Sequence, residues 1–347
     1  MDRKKVVTIA DVAREARVST STVSRVINEA PTVKAANRLR VEEAIRRLNY
    51  RPDPSAQRLA AGGRSGTIGL LVPHFEGIFY SFYASELLKG AGAGATESGL
   101  DILIHIIRGT PEEAAFFRTH IFNPKYLAGI LIADLDPKRE QIKEIEQQKI
   151  PFLLMNYFVE EGDISCVAVD NIAASMSVAD YLIGLGHRNV ATITGDLNIQ
   201  CAQQRLEGFR RGLEARGVVL EQGFVAEGGF VRPKARRCAE HLLAQEPHPT
   251  AIFVASDEMA LEAIGAIKAK GLEVPGDISI VGFDDNPIAT LGGHAQLTTV
   301  WQPLAEMGRI SANILSQIIQ GEQKSPVKRL LATRLVERDS CQPPKGG

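Results

Sequence analysis

Apolar and polar positions follow two different patterns along this chain, and the change falls near residue 67. Before it, apolar residues recur at helical spacing in three segments: Ile9, Val12, Ala13 and Ala16; Val23, Val26 and Ile27; and Leu39, Val41, Ala44, Ile45 and Leu48. Beyond it, short apolar runs alternate with longer amphipathic segments. This pattern predicts a small all-α domain followed by a larger α/β region.

Capping residues mark where the first two helices begin. Thr8 is placed as the N-cap of the first helix with Asp11 as its reciprocal partner, and this helix ends near Arg17. Ser19 is placed to cap the second helix. Two short helices joined by a tight turn predict a helix-turn-helix, in which the second helix enters the major groove of DNA.

The α/β region contains eight apolar runs of strand length: "TIGLLVP", "LDILIHII", "AGILIA", "IPFLLM", "ISCVAVD", "NVATITG", "TAIFVAS" and "ISIVGFDD". Their alternation with amphipathic segments is typical of parallel sheets covered by helices. A second series begins after the fifth run, at Asp170. We therefore expect two doubly wound parallel-sheet subdomains, with a ligand cleft between them at the carboxyl ends of the strands.

The segment "NYRPDPSAQRLAAGGRSG" separates the two regions and has the prolines and glycines of a linker. Within it, Pro54 and Gly62 bracket a two-turn helix that is marginal by itself. The predicted domains are 1–52 for the helical head, 53–65 for the hinge helix and linker, and 66–340 for the core. Within the core we place 66–169 with 299–324 in the first subdomain, and 170–298 with 325–340 in the second.

The charge of this 347-residue chain is unevenly distributed, although its net value is only −1. Residues 1–64 contain 14 Lys and Arg against 7 Asp and Glu, so a basic head precedes an acidic remainder. Such an asymmetry indicates a nucleic-acid partner for the head. The sequence has no apolar run of membrane-spanning length and no export signal, which predicts a cytoplasmic protein without a membrane partner.

Motifs for enzymatic chemistry are missing from the sequence. The segment "GAGAGATESG" lies in a helical pattern and lacks the spacing of a phosphate loop, so we interpret it as a close-packed helix face. No G-x-S-x-G occurs, and the four cysteines have no metal-ligand spacing and are expected to be small buried residues. We therefore predict no enzyme, no cofactor and no metal site.

The second helix carries the residues expected to contact DNA. Thr20, Ser21 and Arg25 fall on its exposed side. Arg25 is the strongest candidate for a base contact, because a guanidinium can make a bidentate contact to guanine. Contacts to phosphates are expected from the polar side chains around the turn, namely Thr8, Ser19, Thr22, Ser24 and Asn28.

The stretch "TIADVAREARVSTSTVSRVIN" resembles the head of the LacI (lactose repressor) family of transcriptional regulators. The similarity continues through "RLNYRPDPSAQRLA", "VAVDN", "LGHRNVATITG", "RLEGFRRGL", "SDEMALEAIGAI" and "LTTVWQP". It implies a homodimer that binds near-palindromic operator DNA and responds to a small molecule in a periplasmic-binding-protein-like core. Arg17 stands where the family usually has glycine, which implies a strained or different turn and an added charge near the phosphates.

The resemblance also implies further DNA contacts. Tyr50 falls in a matching motif, and Leu59 matches the leucine that enters a central base step of the minor groove from the hinge helix. An apolar wedge of this kind kinks the duplex at the cost of unstacking a base step.

For the effector, the resemblance implies a set of cleft residues: Phe79, Tyr80, Asn156, Cys201, Arg205, Phe230, Ser256 and Asp284. Paired hydroxyls suit Arg205 and Asp284, so a sugar is favoured over a purine or nucleoside, which stays an alternative. Gly77-Ile78 and Ser256 depart from common family residues, so the effector of a relative cannot be transferred. Asp170, Asp257 and His187 match positions that we interpret as structural.

Two further classes of protein remain as alternatives. A solute-binding protein would share the two-lobed core, but the basic head and the missing export signal count against it. A two-lobed enzyme acting on nucleotides or sugars would need the phosphate loop or catalytic set that the sequence lacks.

Overall fold

A computed structural model describes residues 7–51, 66–74, 81–108, 110, 126–135, 140–290, 296–324 and 326–345. The chain divides into two units, a helical head at the amino terminus and an α/β core. This division agrees with the change of pattern near residue 67. The predicted hinge helix, with Leu59, lies outside the described residues, and so do Phe79 and Tyr80 of the predicted cleft.

In the described part of the head, residues 7–51, there are three helices: α1 (Ile9–Ala16), α2 (Thr20–Ile27) and α3 (Ala35–Leu48). The amide of Thr8 donates to the Asp11 carboxylate at 2.9 Å, and Ser19 Oγ accepts from the amide of Thr22 at 3.2 Å, so both predicted caps are present. The core of the head consists of small and β-branched residues: Val12, Ala13, Ala16, Val23, Val26, Val41 and Ala44. Leu39 was expected in this apolar pattern but is 65% exposed, because it lies on the outer face of α3.

The turn between α1 and α2 takes the form that glycine usually supplies. Arg17 has φ 51° and ψ 47°, in the left-handed region, and ends α1. The amide of Val18 then donates to the carbonyl of Ala13 at 3.0 Å, which closes the end of the helix. A side chain in this region crowds its own backbone, so the strain expected from Arg17 is present.

A strand forms at each of the eight predicted apolar runs, and the described residues contain four further short strands that the pattern missed. The first lobe of the core contains β1 (Thr67–Pro73), β2 (Asp101–Ile107), β3 (Gly129–Ala133), β4 (Phe152–Met155) and β5 (Cys166–Val169). The second lobe contains β6 (Val190–Thr194), β7 (Val225–Glu227), β8 (Ala251–Val254) and β9 (Ser279–Val281). The remaining strands are β10 (Thr299–Trp301), β11 (Lys328–Leu331) and β12 (Arg334–Val336).

Two parallel sheets result, as predicted for doubly wound subdomains. The first has the strand order β11-β5-β4-β3-β1-β2, and the second has the order β7-β6-β8-β9. Helices of the core are α4 (Phe82–Glu97), α5 (Glu140–Gln147), α6 (Asn171–Gly184), α7 (Gln200–Glu214), α8 (Arg232–Leu242), α9 (Asp257–Ala269) and α10 (Leu304–Gln320). In the described part of the chain, no helix has both the length and the apolar character that a membrane crossing needs.

The predicted boundary between the lobes is wrong for residues 328–331. Residues 325–340 were assigned to the second lobe, but Lys328–Leu331 pairs in parallel with Cys166–Val169 and extends the first sheet. β10 and β12 pair with each other in an antiparallel ribbon. Only one of the four residues of β11 is buried, so the apolar pattern is too weak to identify this strand from the sequence.

The glycine-rich segment forms a close-packed face of α4, as interpreted from the sequence. A Cβ on Gly90 would lie 1.9 Å from the carbonyl oxygen of Ala305 in α10, and one on Gly94 would lie 2.5 Å from that of Arg309. These backbones approach too closely for any side chain, so the glycines serve packing.

The turn geometry predicts that Arg17→Gly stabilises the head. Glycine occupies the left-handed region without steric cost, so local unfolding of α1 should become less favourable by roughly 1 kcal/mol. Hydrogen exchange of the α1 amides in the full chain measures this change. Arg17→Ala is the control, since it removes the same charge and keeps the Cβ; equal protection in the two variants would refute the strain.

Candidate functional site

A cavity of about 920 Å³ lies in the core at the carboxyl ends of the strands, with residues of both lobes in its wall. The expected location outside the strand ends is therefore correct. The wall contains six of the predicted effector residues, Asn156, Cys201, Arg205, Phe230, Ser256 and Asp284. Their contacts show what each is able to offer a ligand.

Arg205 on α7 is held on several sides and is only 3% exposed. Its Nε donates to Asn171 Oδ1 at 2.9 Å, and its Nη1 donates to the carbonyl of Ala255 at 2.7 Å. The guanidinium carbon lies 3.6 Å from the centre of the Phe283 ring, a cation–π contact. Both donors point along fixed directions, so the guanidinium is pre-oriented in the wall of the cavity.

Asp284 follows β9 and lies opposite this guanidinium, with 3.9 Å between Arg205 Nη1 and Asp284 Oδ1. The same oxygen accepts a hydrogen bond of 2.6 Å from Gln302 Nε2. Burial raises the pKa of Asp284 to about 7, and the charge of Arg205 opposes part of that rise. The carboxyl group can therefore bind a ligand in either protonation state near neutral pH.

Three further predicted effector residues lie in the cavity wall, namely Phe230, Ser256 and Cys201. Phe230 has φ 58° and lies so close to Gly195 that a Cβ there would be 2.1 Å from its ring. Ser256 Oγ accepts from the amide of Met259 at 3.4 Å as the N-cap of α9, and its hydroxyl proton stays available. Burial raises the pKa of Cys201 to about 12, so it is a neutral thiol.

A second polar group lies on the first lobe, and of its three residues only Asn156 was identified from the sequence. Tyr83 Oη donates to Asp134 Oδ2 at 2.5 Å, and Asn156 Nδ2 donates to Asp134 Oδ1 at 2.7 Å. All three side chains line the cavity. Asp134 directly follows the buried strand "GILIA", and its position at a strand end was the signal that would have identified it.

The three residues interpreted as structural have structural contacts. Asp170 Oδ1 caps α6 by accepting from the amide of Ala173 at 2.9 Å. His187 lies within hydrogen-bond distance of Thr250 Oγ1, at 2.9 Å, and of the carbonyl of Gln342, at 3.0 Å.

Asp257 joins three segments of the core. Its Oδ1 accepts from Thr299 Oγ1 at 2.6 Å, and its Oδ2 accepts from the amide of Asn286 at 2.8 Å. Burial, together with the neighbouring charge of Asp284, raises its pKa well above the usual range. These contacts confirm the structural interpretation of Asp257.

The head presents its predicted DNA-contacting residues at the surface. Exposed side chains are Thr8, Ser19, Thr20, Ser21, Arg25 and Asn28, whereas Thr22, Ser24 and Tyr50 are half-buried. The guanidinium of Arg25 has no hydrogen bond or ion pair within the residues that the structure describes. Val23 and Val26 are buried on the opposite side of α2, so Arg25 points away from the core of the head.

Comparison with known proteins agrees with both units. The model of the bacterial regulatory proteins of the lacI family matches residues 8–53, and that of the periplasmic binding protein-like domain matches residues 179–341. Catabolite control protein A of Priestia megaterium is 33% identical over 320 residues, which cover 91% of this chain and 93% of that protein. The transcriptional regulator CelR of Thermobifida fusca is 32% identical, over 98% of this chain and all 100% of that protein.

Solved structures show the same architecture. A lac repressor dimer bound to operator and the anti-inducer ONPF superposes with a TM-score of 0.81 at 29% identity, covering 97% of this chain and 100% of that one. A CelR–cellobiose complex superposes with a TM-score of 0.75 at 30% identity, covering 96% and 99%. Because relatives above 30% identity span almost the whole sequence, this chain belongs to the LacI family of transcriptional regulators.

Proposed function

We propose that this regulator is a homodimeric repressor that binds near-palindromic operator DNA and changes its DNA affinity when a sugar enters the core cavity. The observation that carries the proposal is the occurrence, in one chain, of a basic head with an outward-facing Arg25 and a core cavity with pre-oriented polar groups. The lac repressor dimer that resembles this chain is bound to operator. The protein works, on this proposal, in the cytoplasm and as a regulator without catalytic activity.

DNA recognition divides between positioning and reading. The net positive charge of residues 1–64 supplies the sequence-independent attraction to phosphates. Ser19 and Thr8, at the first turns of their helices, position the head against the backbone of the duplex. Arg25, with Thr20 and Ser21 beside it on α2, then contacts base edges in the major groove.

The cavity favours a sugar through its pattern of donors and acceptors. Asp284 accepts from two hydroxyl groups, while Ser256 both donates and accepts. The remaining Nη2 of Arg205 offers donors to the same ring, since its Nε and Nη1 are already used by protein acceptors. The CelR structure similar to this chain was solved as a cellobiose complex. Phe230 supplies a flat apolar face for the C–H surface of a sugar ring.

A purine or nucleoside is the second candidate effector, because the same Phe230 face also suits a stacked base. The two candidates differ in their response to substitutions at Asp284, since a carboxylate that bridges two hydroxyls matters most for a sugar.

The solute-binding alternative predicts no sequence-specific DNA binding at all. A gel-shift assay with fragments selected from random DNA by the full chain distinguishes it from a regulator. Retarded fragments that share a near-palindromic sequence support the proposal, and absence of any selected sequence would contradict it.

Arg25→Ala should relax the base preference at one position of each operator half-site. Loss of a bidentate base contact reduces specific binding by about 1–3 kcal/mol and leaves non-specific binding much less changed. Fluorescence anisotropy with selected and scrambled duplexes measures both affinities. Arg46→Ala is the matched control, since Arg46 is an exposed arginine of the head on α3; equal losses on both duplexes for Arg25→Ala would make Arg25 a phosphate contact only.

Asp284→Asn and Arg205→Ala should each abolish the effect of the sugar on operator binding. Neither residue belongs to the head, so DNA affinity of the ligand-free protein should stay within about twofold of the unsubstituted chain. Operator anisotropy with and without mono- and disaccharides measures the response, and thermal unfolding verifies that each variant is folded.

An exposed pair of the same chemistry provides the control for these variants. Arg216 and Asp180 are 2.9 Å apart on the surface of the second lobe, and substituting them in the same way should leave the response intact. Tight binding of a nucleobase, with no response to any saccharide in calorimetry, would refute the sugar and support the second candidate.

A further inference from the structure

We propose that Asp134, held by Tyr83 and Asn156, is a second polar anchor of the cavity and that it selects an uncharged ligand rich in hydroxyl groups. The inference rests on the proposed function, because it concerns the effector of the same cavity. It goes beyond that function by assigning a ligand contact to Asp134, which the sequence did not identify, and by excluding acidic effectors, such as uronic acids and phosphorylated compounds.

The backbone brings this anchor together at the ends of two neighbouring strands. Asp134 follows β3 with φ 53°, and Asn156 follows β4 with φ 54°. The amide of Asp134 donates to the carbonyl of Met155 at 3.1 Å, and that of Asn156 donates to the carbonyl of Val167 at 2.9 Å. Two non-glycine residues in the left-handed region are costly, and such strain is concentrated at functional sites.

The hydrogen bonds within the anchor leave several acceptor sites without a donor. The Asp134 carboxylate takes one donor from Tyr83 and one from Asn156, although it can accept about four. Asn156 is only 2% exposed, and its Oδ1 has no hydrogen-bond partner among the described residues. A buried acceptor without a donor is unfavourable, so a ligand that brings hydroxyl donors is stabilised here.

The arginines of the wall are already engaged by other groups. Arg205 donates to two neutral protein oxygens, which leaves its Nη2 for a ligand, and it lies 3.9 Å from Asp284, whose carboxylate offsets part of its charge when ionised. Arg232 is paired with Glu262 through two hydrogen bonds, the shorter of 2.8 Å. Arg108 also has an interaction partner of its own.

The cavity wall contains four acidic side chains and three arginines. Besides Asp134 and Asp284, the wall contains Glu258 and Asp196. Placing a carboxylate or phosphate of a ligand among these groups adds like-charge repulsion in a poorly solvated space. The charges thus disfavour an acidic effector, while the unfilled acceptors favour hydroxyls.

Protonation of Asp134 links this anchor to pH. Burial raises its pKa to about 6, and the hydrogen bonds from Tyr83 and Asn156 oppose that rise. The titratable or charged groups facing it in the described structure are Tyr83 from α4 and Arg205 and Cys201 from α7. At neutral pH the carboxylate is mostly ionised and accepts hydrogen bonds, and it loses acceptor capacity as the pH falls through about 6.

Calorimetry on the full chain with paired ligands tests the selection. Glucose, cellobiose and adenosine are the uncharged probes, and glucuronate, phosphorylated glucose and adenosine monophosphate are their acidic counterparts. We expect binding of an uncharged probe and at least tenfold weaker binding of its acidic counterpart. Tighter binding of an acidic probe would overturn the inference, and so would the absence of detectable binding by any of the six probes.

Two variants test the residues with the uncharged probe that binds best. Asp134→Asn keeps the shape of the side chain but loses an ionised acceptor, and should weaken binding about tenfold or more. Tyr83 is a positioning residue, so Tyr83→Phe should weaken binding less. It should also move the pH at which binding is lost upward, because a hydrogen bond that lowers the pKa of Asp134 is removed.

Matched controls are available at residues that do not line the cavity. Asp101→Asn, at the exposed start of β2, and Tyr126→Phe, at a half-exposed tyrosine, should leave both affinity and pH profile unchanged. An Asp134→Asn affinity equal to that of the unsubstituted chain would overturn the anchor, and so would an unmoved pH profile in Tyr83→Phe.

Operator binding measured in the same samples separates this inference from the proposed function. If no selected DNA is bound, the proposed function fails. If DNA is bound and an acidic effector releases or recruits it, the proposed function stands and only the selection of an uncharged ligand is refuted.

Discussion

The cavity depends on one buried cation. Removing the guanidinium of Arg205 from water is expensive, and the second lobe offsets this through partners on several different segments. These partners are Asn171 at the start of α6, Ala255 after β8, and Phe283 and Asp284 after β9. A single side chain thus fixes the relative positions of the strand ends that form this wall.

The backbone around the cavity is conformationally strained in both lobes, so the site is not optimised for stability. In the second lobe, Phe230 and Asp284 have φ of 58° and 118°. In the first lobe, Asp134 and Asn156 have φ of 53° and 54°. Each of these conformations costs of order 1–3 kcal/mol and persists only because neighbouring contacts hold it. The arrangement presents side chains to a ligand at fixed positions, which lowers the entropy lost on binding.

Periodicity and caps were sufficient to predict both units and eight of the ten described strands of the parallel sheets, because those eight are short and mainly apolar runs. They were insufficient at β11, where residues of mixed exposure complete the first sheet. Leu39 was misassigned because helical spacing does not distinguish the inner from the outer face of a three-helix head. In the cavity, family resemblance led to Arg205 and Asp284, whereas Asp134 was missed because its role depends on contacts with Tyr83 and Asn156 that are distant in sequence.

The charged pair of Arg205 and Asp284 is the contact to test most directly. A double-mutant cycle with Arg205→Met and Asp284→Asn measures the coupling energy of this pair through the free energy of unfolding. Since the pKa of Asp284 is about 7, the carboxyl is ionised at about pH 8.5 and protonated at about pH 5.5. We expect a coupling energy of about 1–3 kcal/mol at the higher pH and a clearly smaller one at the lower pH. Additive effects of the two substitutions at both pH values would contradict the buried pair on which the cavity depends.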